Sequence, residues 1–213
     1  MSNPSASLDQ DLFNRLTAYF SSQGVDELAP IPHPDESVNR VAMEQLATLR
    51  KAAVLIPITR ATVGDQSRIV LTVRSANLKS HAGQISLPGG SQEERDADVI
   101  ATALRESEEE IGLPASHVEV IGRLGELAMP SGFRVTPIVG LIDAGLQFSP
   151  CPIEVADIFH VPLSLVLDPT AYRSSKMEFN NVPRTILELT FEDYRIWGAT
   201  AAILYQLALS VGN

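Results

Sequence analysis

Hydrophobic and polar positions change their spacing along the chain, and these changes predict its helices. From Leu8 to Phe20, apolar residues recur every four positions, which predicts a helix over residues 8–22. The segment ESVNRVAMEQLATL at 36–49 has similar spacing and predicts a second helix. Between them, the proline-rich LAPIPHPDE predicts a connector.

Shorter apolar runs predict strands. KAAVLIPI (51–58) is almost continuously apolar, as expected of a buried strand, and RIVLTVR (68–74) returns from it after a polar turn. QISLP ends a short strand at a Pro-Gly-Gly corner at residues 88–90. Later strand candidates are VEVIGRLGEL, RVTPIVGLI, DIFHVPL and a hairpin of KMEF with TILELTF. The apolar YRIWGATAAILYQLALS predicts a closing helix.

The order of these elements predicts the fold class. Strands flank helices without a regular repeat, which favours an α/β fold of the α+β type, an α/β/α sandwich with a mixed sheet. A chain of 213 residues with 45% hydrophobic content can bury one substantial core. We expect residues 1–48 to form an N-terminal helical extension packed on a main domain of residues 49–213.

Composition excludes several functional classes. The net charge of -10 argues against non-specific binding to nucleic acid or to anionic membranes. Cys151 is the only cysteine and the four histidines are far apart, which rules out an intramolecular disulfide and leaves no zinc spacing. The sequence shows no secretory signal and no apolar run long enough to span a bilayer, so a cytoplasmic protein is expected. A homodimer is compatible with the sequence.

The most informative stretch is SLPGGSQEERDADVIATALRESEEEIGL at 86–113. Asp96 as N-cap and Gly112 as C-cap predict a helix over about 97–111. At 100° per residue, its three glutamates share an arc of about 100° on one face. They are Glu106, Glu109 and Glu110. The opposite face carries apolar residues that can pack on a sheet, namely Ile100, Leu104 and Ile111.

Crowded carboxylates repel one another unless a cation is near. Arg105 lies one turn before Glu109 and predicts an i,i+4 ion pair. Three hard oxygen ligands are what Mg²⁺ or Mn²⁺ prefers, usually with waters and substrate phosphates. The alternative is an exposed, solvated acidic helix, but the preceding Gly-Gly corner, where an anion can approach bare backbone, favours a metal site.

The same residues resemble a known signature. RESEEEIGL resembles the core of the Nudix box of Nudix hydrolases through Arg105, Glu106, Glu109, Glu110, Gly112 and Leu113. Ser107 departs from that pattern at an aliphatic position. Ala97 and Ser91 stand where glutamate and glycine are expected, with Asp96 and Gly90 each one residue early.

Four blocks in order resemble the coenzyme A pyrophosphatase branch of this superfamily. They are LTVRSANLKSHAGQISLPGG, PSGFRVTPIVGLI, EVADIFHVPLSLVLDP and RIWGATAAIL, within about residues 50–207. The resemblance implies a Nudix-like sandwich with a metal-binding strand-loop-helix. It also implies hydrolysis of the pyrophosphate bond of coenzyme A or its derivatives, with Mg²⁺ or Mn²⁺ as cofactor.

Carried onto this chain, the resemblance implies roles for individual residues. Glu106 and Glu110 would be the main metal ligands, Glu109 a ligand or the general base, and Arg105 the residue that orients them. Glu154 is a candidate additional ligand from a later loop, and an ordinary exposed glutamate is about as good an interpretation. His160 and Trp197 are interpreted as packing residues, the latter in the core of the closing helix.

Substrate contacts are expected from the block that precedes the acidic helix. The 3′-phosphate of coenzyme A needs cations on an otherwise acidic protein. The candidates are Arg74 and Lys79 as cations, Ser75, His81 and Gln84 as hydrogen-bonding groups, and Gly89 and Gly90 as the loop leading into the metal helix. For each side chain taken alone, a surface or packing role is also open.

Two other functions stay open at this point. One is a Nudix hydrolase of another nucleoside diphosphate derivative, such as ADP-ribose or a dinucleoside polyphosphate. The other is a Nudix-fold nucleotide sensor without catalysis, although such a sensor has no need of an intact glutamate cluster. The chain has neither a G-x-S-x-G nucleophile elbow nor a Walker phosphate loop.

Overall fold

The computed structural model describes residues 4–23, 28–39, 46–60, 66–78, 80–179 and 181–212. The α-helices with both ends in these ranges are α1 (Pro4–Ser22), α2 (Val99–Ile111), α3 (Leu163–Val166) and α4 (Ala199–Gly212). Short 3₁₀ turns lie at Leu46–Thr48, Ala115–His117 and Pro169–Ala171. No helix in these ranges combines the length and the apolar character that crossing a membrane requires.

Most strands belong to one mixed sheet. Within the described ranges it has eight strands: β1 (Arg50–Thr59), β2 (Arg68–Arg74), β3 (Ile85–Ser86), β4 (Gly89–Ser91), β5 (Glu119–Arg123), β6 (Leu127–Met129), β7 (Phe133–Ile142) and β8 (Val155–Pro162). The order along the sheet is β3-β2-β1-β7-β5, with β4 beside β1, β6 beside β7 and β8 beside β2. Among these described strands, only β1 and β7 pair in parallel, over the full length of both.

A smaller antiparallel sheet has the order β11-β10-β9. It consists of β9 (Arg173–Phe179), β10 (Val182–Phe191) and β11 (Tyr194–Trp197). The expected late hairpin is thus confirmed, but the closing helix was predicted too long. Tyr194–Trp197 pair with β10, and Gly198 then takes a φ of 66° before the helix begins at Ala199. Trp197 therefore lies on a strand and is only half-buried.

Two apolar layers cover the two faces of the large sheet. One includes Leu16 and Phe20 of α1 with Leu204 and Leu207 of α4. The other includes Ala103 and Ile111 of α2, with Ile100 and Leu104 packed against it. Burial of these layers is the main stabilising contribution to the fold. The expected α/β/α sandwich with a mixed sheet is confirmed, and so is the sheet-facing side of the acidic helix.

The N-terminal elements are only partly within the described ranges. The helix expected over 8–22 is confirmed as α1. Of the helix expected over 36–49, residues 36–39 are helical and Leu46–Thr48 form a 3₁₀ turn, while residues 40–45 lie outside the described residues. The polar turn after β1 also lies largely outside them, at 61–65.

The segment 28–39 contacts the sheet at two places. Ile31 is 2% exposed, and its N–H donates to the carbonyl of Glu126 at 2.9 Å. Asp35 is buried and accepts a hydrogen bond from the N–H of Thr185 in β10, also at 2.9 Å. These contacts tie the segment to the main sheet and to the small sheet. The division into an extension of 1–48 and a domain of 49–213 stays a prediction.

Gly125 provides a test of this attachment. A Cβ at this position would lie 1.9 Å from the carbonyl oxygen of Ala29 and 2.8 Å from its carbonyl carbon. Because both atoms are backbone, Gly125→Ala should push the N-terminal segment off the sheet and lower the free energy of unfolding by about 1–3 kcal/mol. Thermal and urea unfolding measure the change.

Gly212→Ala is the matched control, because a Cβ at that position would have no atom of the described residues within 4 Å. It should leave stability unchanged or slightly higher. Equal stability of the two variants would show that segment 28–39 does not need its observed contact with Gly125.

Candidate active site

The acidic helix is preceded by a short paired strand that begins with two glycines, and not by an unpaired turn. Gly89–Ser91 form β4, which pairs with Ala52–Val54 of β1, and Leu55 N–H donates to the carbonyl of Pro88 at 2.9 Å. A Cβ on Gly89 would lie 2.3 Å from the carbonyl oxygen of Ala53. Only glycine therefore allows β4 to lie so close to β1.

Gly89 makes room for a neighbouring strand, whereas Gly90 makes room for a carboxylate. A Cβ at this position would lie 2.5 Å from the carboxyl carbon of Glu106. The side chain of Glu106 thus rests directly against bare backbone. The two glycines, expected to shape the loop before the helix, do so as a paired strand.

The N-cap of α2 is Asp98, not Asp96 as the sequence predicted. Asp98 has extended backbone angles, and its side chain accepts a hydrogen bond from Ala101 N–H at 2.8 Å, so the helix spans Val99–Ile111. Both aspartates precede the first apolar turn, which is why their spacing alone did not separate them. The predicted C-cap is confirmed, because Gly112 has a φ of 64° and its N–H donates to the carbonyl of Glu108 at 3.0 Å.

Asp96 has a different role that sequence reasoning missed. Its buried carboxylate accepts two hydrogen bonds from Arg105, at 2.9 and 3.0 Å, and one from the hydroxyl of Thr102 at 3.0 Å. The hydrogen bonds from Arg105 hold the pKa of Asp96 well below its usual range, although burial opposes them. A bidentate pair of this kind fixes the plane of the guanidinium.

Arg105 then joins Asp96 to the glutamates. Its guanidinium lies 2.9 Å from Glu106 and 2.9 Å from Glu109, and also donates to the carbonyl of Ser91 at 3.1 Å. The expected i,i+4 pair of Arg105 with Glu109 is therefore confirmed. The Asp96 hydrogen bonds and the neighbouring Glu106 charge raise the pKa of Arg105, while burial lowers it.

Glu110 is the most buried of the three glutamates, with 3% of its surface exposed. Gly89 N–H donates to its carboxylate at 3.1 Å, and the Arg74 guanidinium lies 3.8 Å away. Burial raises the pKa of Glu110 to about 7 against these two partners, and the charges of Glu154 and Glu106 raise it further. Its carboxylate is left short of positive charge.

Glu106 is also short of positive charge. Burial raises its pKa, Arg105 lowers it, and the charges of Glu109 and Glu154 raise it again. Glu154 lies on an exposed turn, where its backbone carbonyl accepts Ser75 N–H at 2.8 Å. The charge of its carboxylate raises the pKa of both Glu106 and Glu110. The role of Glu154 as an additional ligand stays a prediction.

The donor set fits a hard divalent cation. It consists of carboxylates whose negative charge is not fully balanced by neighbouring positive charge. They lie beside the backbone of Gly90, where a Cβ would collide with the carboxylate of Glu106. In the described part of the chain, no three acidic, histidine or cysteine side chains are already gathered closely enough to hold an ion. Binding would therefore require the carboxylates to close around it.

The remaining predicted substrate residues surround this group to different degrees. Arg74 ends β2, and its buried Nε has no hydrogen-bond partner among the described residues. Ser75 is buried, and its hydroxyl accepts Asn77 N–H at 3.4 Å within the turn. Exposed His81, with a φ of 58°, bonds Gln84 at 2.9 Å. Lys79 lies outside the described residues.

One residue interpreted as packing and one departure from the signature have structural explanations. Half-buried His160 lies with its ring centroid 5.7 Å from that of Phe148, and burial lowers its pKa. Ser107, the polar residue at an aliphatic position, is fully buried, and its hydroxyl donates to the carbonyl of Ala103 at 2.7 Å. The helix backbone satisfies it, so the departure leaves no unpaired polar group at this position.

Comparison with known proteins gives a consistent family match. A profile of the NUDIX domain matches residues 48–159, more than half of the chain. The protein "Uncharacterized Nudix hydrolase NudL" of Photorhabdus laumondii subsp. laumondii is 43% identical over 162 residues, covering 76% of this chain and 85% of that protein. Its namesake in Escherichia coli O7:K1 is 42% identical over 163 residues, covering 76% and 83%.

Among solved structures, the Nudix hydrolase RenU from M. smegmatis aligns with a TM-score of 0.46 and 24% identity. The alignment covers 55% of this chain and 73% of that one.

The Asp96 contact generates a stability prediction. Asp96→Asn keeps the size of the side chain but removes the charge that faces buried Arg105, so it should lower the free energy of unfolding by roughly 3 kcal/mol. Asp98→Asn is the control, since asparagine caps a helix about as well as aspartate. Chemical denaturation should rank the variants in that order. A larger loss of stability in Asp98→Asn than in Asp96→Asn would show that Asp98 stabilises this region more than Asp96 does.

Glu110 generates a prediction about pH. Its folded pKa of about 7 lies above the value of 4.5 for an unperturbed glutamate, so the folded chain binds more protons between these values. Stability contributed by neutral Glu110 is therefore lost as pH rises through this window. Without divalent ions, Glu110→Gln should be more stable than wild type at pH 8 by roughly 1–3 kcal/mol and equal to it near pH 4.

Thermal unfolding across pH 4–8 measures this difference. Glu108→Gln makes the same charge change on an exposed part of the same helix, and its stability relative to wild type should not change in this way with pH. Parallel stability curves for wild type and Glu110→Gln would contradict the raised pKa of Glu110.

Proposed function

The chain belongs to the Nudix hydrolase family, and from this premise we propose that it hydrolyses the pyrophosphate bond of coenzyme A or its derivatives. The products would be 3′,5′-ADP and 4′-phosphopantetheine or its acylated form. One observation carries the proposal: the block that resembles the coenzyme A branch meets the acidic helix. Arg74 and Gly89, near its two ends, both face Glu110.

The acidic helix supports a metal-dependent reaction. Glu106 and Glu110 would hold Mg²⁺ or Mn²⁺, with Glu109 or Glu154 as a further ligand. When bound, the cation supplies charge neutralisation for the pyrophosphate and makes water a better nucleophile. Its charge would also stabilise the ionised carboxylates of Glu106 and Glu110, and so offset the effect of burial, which raises their pKa values.

The chain's own residues would orient the reacting groups. Arg105, fixed by Asp96, holds the carboxylates of Glu106 and Glu109 in place. In hydrolysis, a water oxygen bonds to one phosphorus while the bridging oxygen leaves with the electron pair of the broken anhydride bond. Glu109, with about half of its side chain exposed, is the carboxylate we propose to accept the water proton.

Substrate binding would use the cations beside the helix. Arg74 would donate hydrogen bonds to a phosphate. Its Nε has no partner among the described residues and its guanidinium lies 3.8 Å from Glu110, so it has donors left for a ligand. His81 and Gln84 belong to the following loop, and we propose that they and Lys79 contact the remaining polar groups. Ser75 would contribute by shaping the turn, since its hydroxyl is buried there.

Chromatography of coenzyme A incubated with the protein and Mg²⁺ or Mn²⁺ tests the reaction. Wild type should release 3′,5′-ADP and 4′-phosphopantetheine, while Glu110→Gln should lower kcat by roughly 10²–10⁴-fold with its fold intact. Glu108→Gln is the matched control and should keep wild-type activity.

Three other results would each contradict part of the proposal. Cleavage of ADP-ribose or a dinucleoside polyphosphate, with coenzyme A untouched, would keep the metal site and overturn the substrate. Binding of nucleotides without any cleavage would overturn the enzyme and favour a sensor. Full activity in Glu110→Gln would remove Glu110 from the site.

A further inference from the structure

Two cationic residues lie on the large sheet beside the acidic helix. Lys51 of β1 and Arg134 of β7 are partners in the parallel register of these strands. They come two residues before Ala53 and Thr136, which are also partners, and residues two apart on a strand point to the same face. Ala53 packs in the apolar layer under the acidic helix, so Lys51 and Arg134 lie on the helix side of the sheet.

The same register places this pair of cations close to the glutamates. Ala53 also pairs with Gly90 of β4, and the carboxylate of Glu106 rests against the backbone of Gly90. Lys51 is two residues from Ala53, or about 7 Å along β1, and β7 is one strand further, or about 5 Å. The N–H of Gln92, which follows β4, donates to the carbonyl of Lys51 at 3.0 Å. The cations therefore adjoin the site without touching its carboxylates.

Another cation lies on the opposite side of the glutamates. Because β7 pairs with β1 along its full length, β4 lies on the other edge of β1, which is the edge toward β2. Arg74 ends β2, and its guanidinium lies 3.8 Å from Glu110. The carboxylates beside β4 thus have one cation on the β2 side and two on the β7 side. This arrangement suits a substrate with phosphate groups at two separate places.

Arg134 has hydrogen-bond donors left for a phosphate. Its guanidinium lies 3.7 Å from the carboxylate of Glu126, which is longer than a charge-assisted hydrogen bond. That carboxylate also accepts a hydrogen bond from the hydroxyl of Thr136 at 3.4 Å. The buried Nε of Arg134 has no hydrogen-bond partner among the described residues. An unpaired buried donor is unfavourable, and a ligand oxygen would satisfy it, with exposed Lys51 beside it.

From this geometry we infer that Lys51 and Arg134 bind a phosphate monoester on the ribose of the substrate, separate from its pyrophosphate. The inference rests on the proposed function and deepens it, because it assigns the 3′-phosphate of coenzyme A to residues of β1 and β7. The pyrophosphate lies beside β4, between the glutamates and Arg74, and the ribose spans the roughly 7 Å from there to Lys51. Both cations determine specificity and take no part in breaking the anhydride bond.

The kinetic test compares coenzyme A with dephospho-coenzyme A, which lacks only the 3′-phosphate. Wild type should prefer coenzyme A. Arg134→Gln should lower kcat/KM for coenzyme A about tenfold, mainly through KM, because it removes charged hydrogen bonds to the phosphate. Lys51→Gln, at an exposed position, should lower it about threefold. Both losses should be smaller on dephospho-coenzyme A, and Arg134→Lys should retain part of the preference.

Arg173→Gln is the matched control. Arg173 is an exposed arginine at the start of β9 in the small sheet, so this variant removes the same charge from another sheet. It should leave the ratio of the two substrates unchanged. If Arg134→Gln does not fold, because Glu126 loses its partner, the exposed Lys51→Gln decides. No preference for coenzyme A in wild type, an equal loss on both substrates, or the same loss in Arg173→Gln would overturn the inference.

Calorimetry separates this inference from the proposed reaction. In EDTA, 3′,5′-ADP should bind wild type about tenfold more tightly than AMP, which lacks the 3′-phosphate, and Arg134→Gln should remove most of this difference. If this holds but neither form of coenzyme A is hydrolysed with metal, the reaction is wrong and the phosphate site stands. If hydrolysis occurs but the two nucleotides bind equally, the reaction stands and the phosphate site is wrong.

Discussion

The ion pair between Asp96 and Arg105 is the contact on which the arrangement of the acidic helix depends. It joins the loop before the helix to the middle of the helix through two hydrogen bonds of 2.9 and 3.0 Å. Because the Asp96 side chain is almost fully buried, the guanidinium has one favourable orientation, and from it Arg105 reaches Glu106 and Glu109. Without it, two carboxylates on one helix face would lose the positive charge between them.

Glu106 and Glu110 are compensated by neighbouring positive charge to different degrees. Glu106 has Arg105 at 2.9 Å, whereas Glu110 has, among the described residues, only a backbone N–H and a guanidinium 3.8 Å away. The carboxylate at the deeper position is therefore the one most in need of further positive charge. Glycines at 89 and 90 leave that side open, since a side chain there would meet β1 or Glu106 itself.

Sequence reasoning succeeded where a local pattern determines the outcome. The apolar runs predicted β1, β2 and β7, helical periodicity placed the glutamates opposite Ile111, and Gly112 ended the helix as expected. It failed where partners distant in the chain decide. Asp96 and Asp98 look alike as caps, and only the fold brings one of them to Arg105. Tyr194–Trp197 are apolar enough for a helix, but pairing with β10 makes them a strand. The position of Glu154, whose charge raises the pKa of both Glu106 and Glu110, likewise depends on a turn tied to Ser75.

The parallel pairing of β1 with β7 has a consequence for how the protein is made. It joins Arg50 to Phe133 and Thr59 to Ile142, so the whole acidic helix lies inside the loop that this pairing closes. Closing so long a loop is entropically unfavourable before its contacts form, and folds dominated by such contacts fold slowly. During synthesis, the ribosome must release β7 before β1 gains its parallel neighbour. Until then the glutamates belong to a nascent chain whose central strand has an open edge, which favours aggregation.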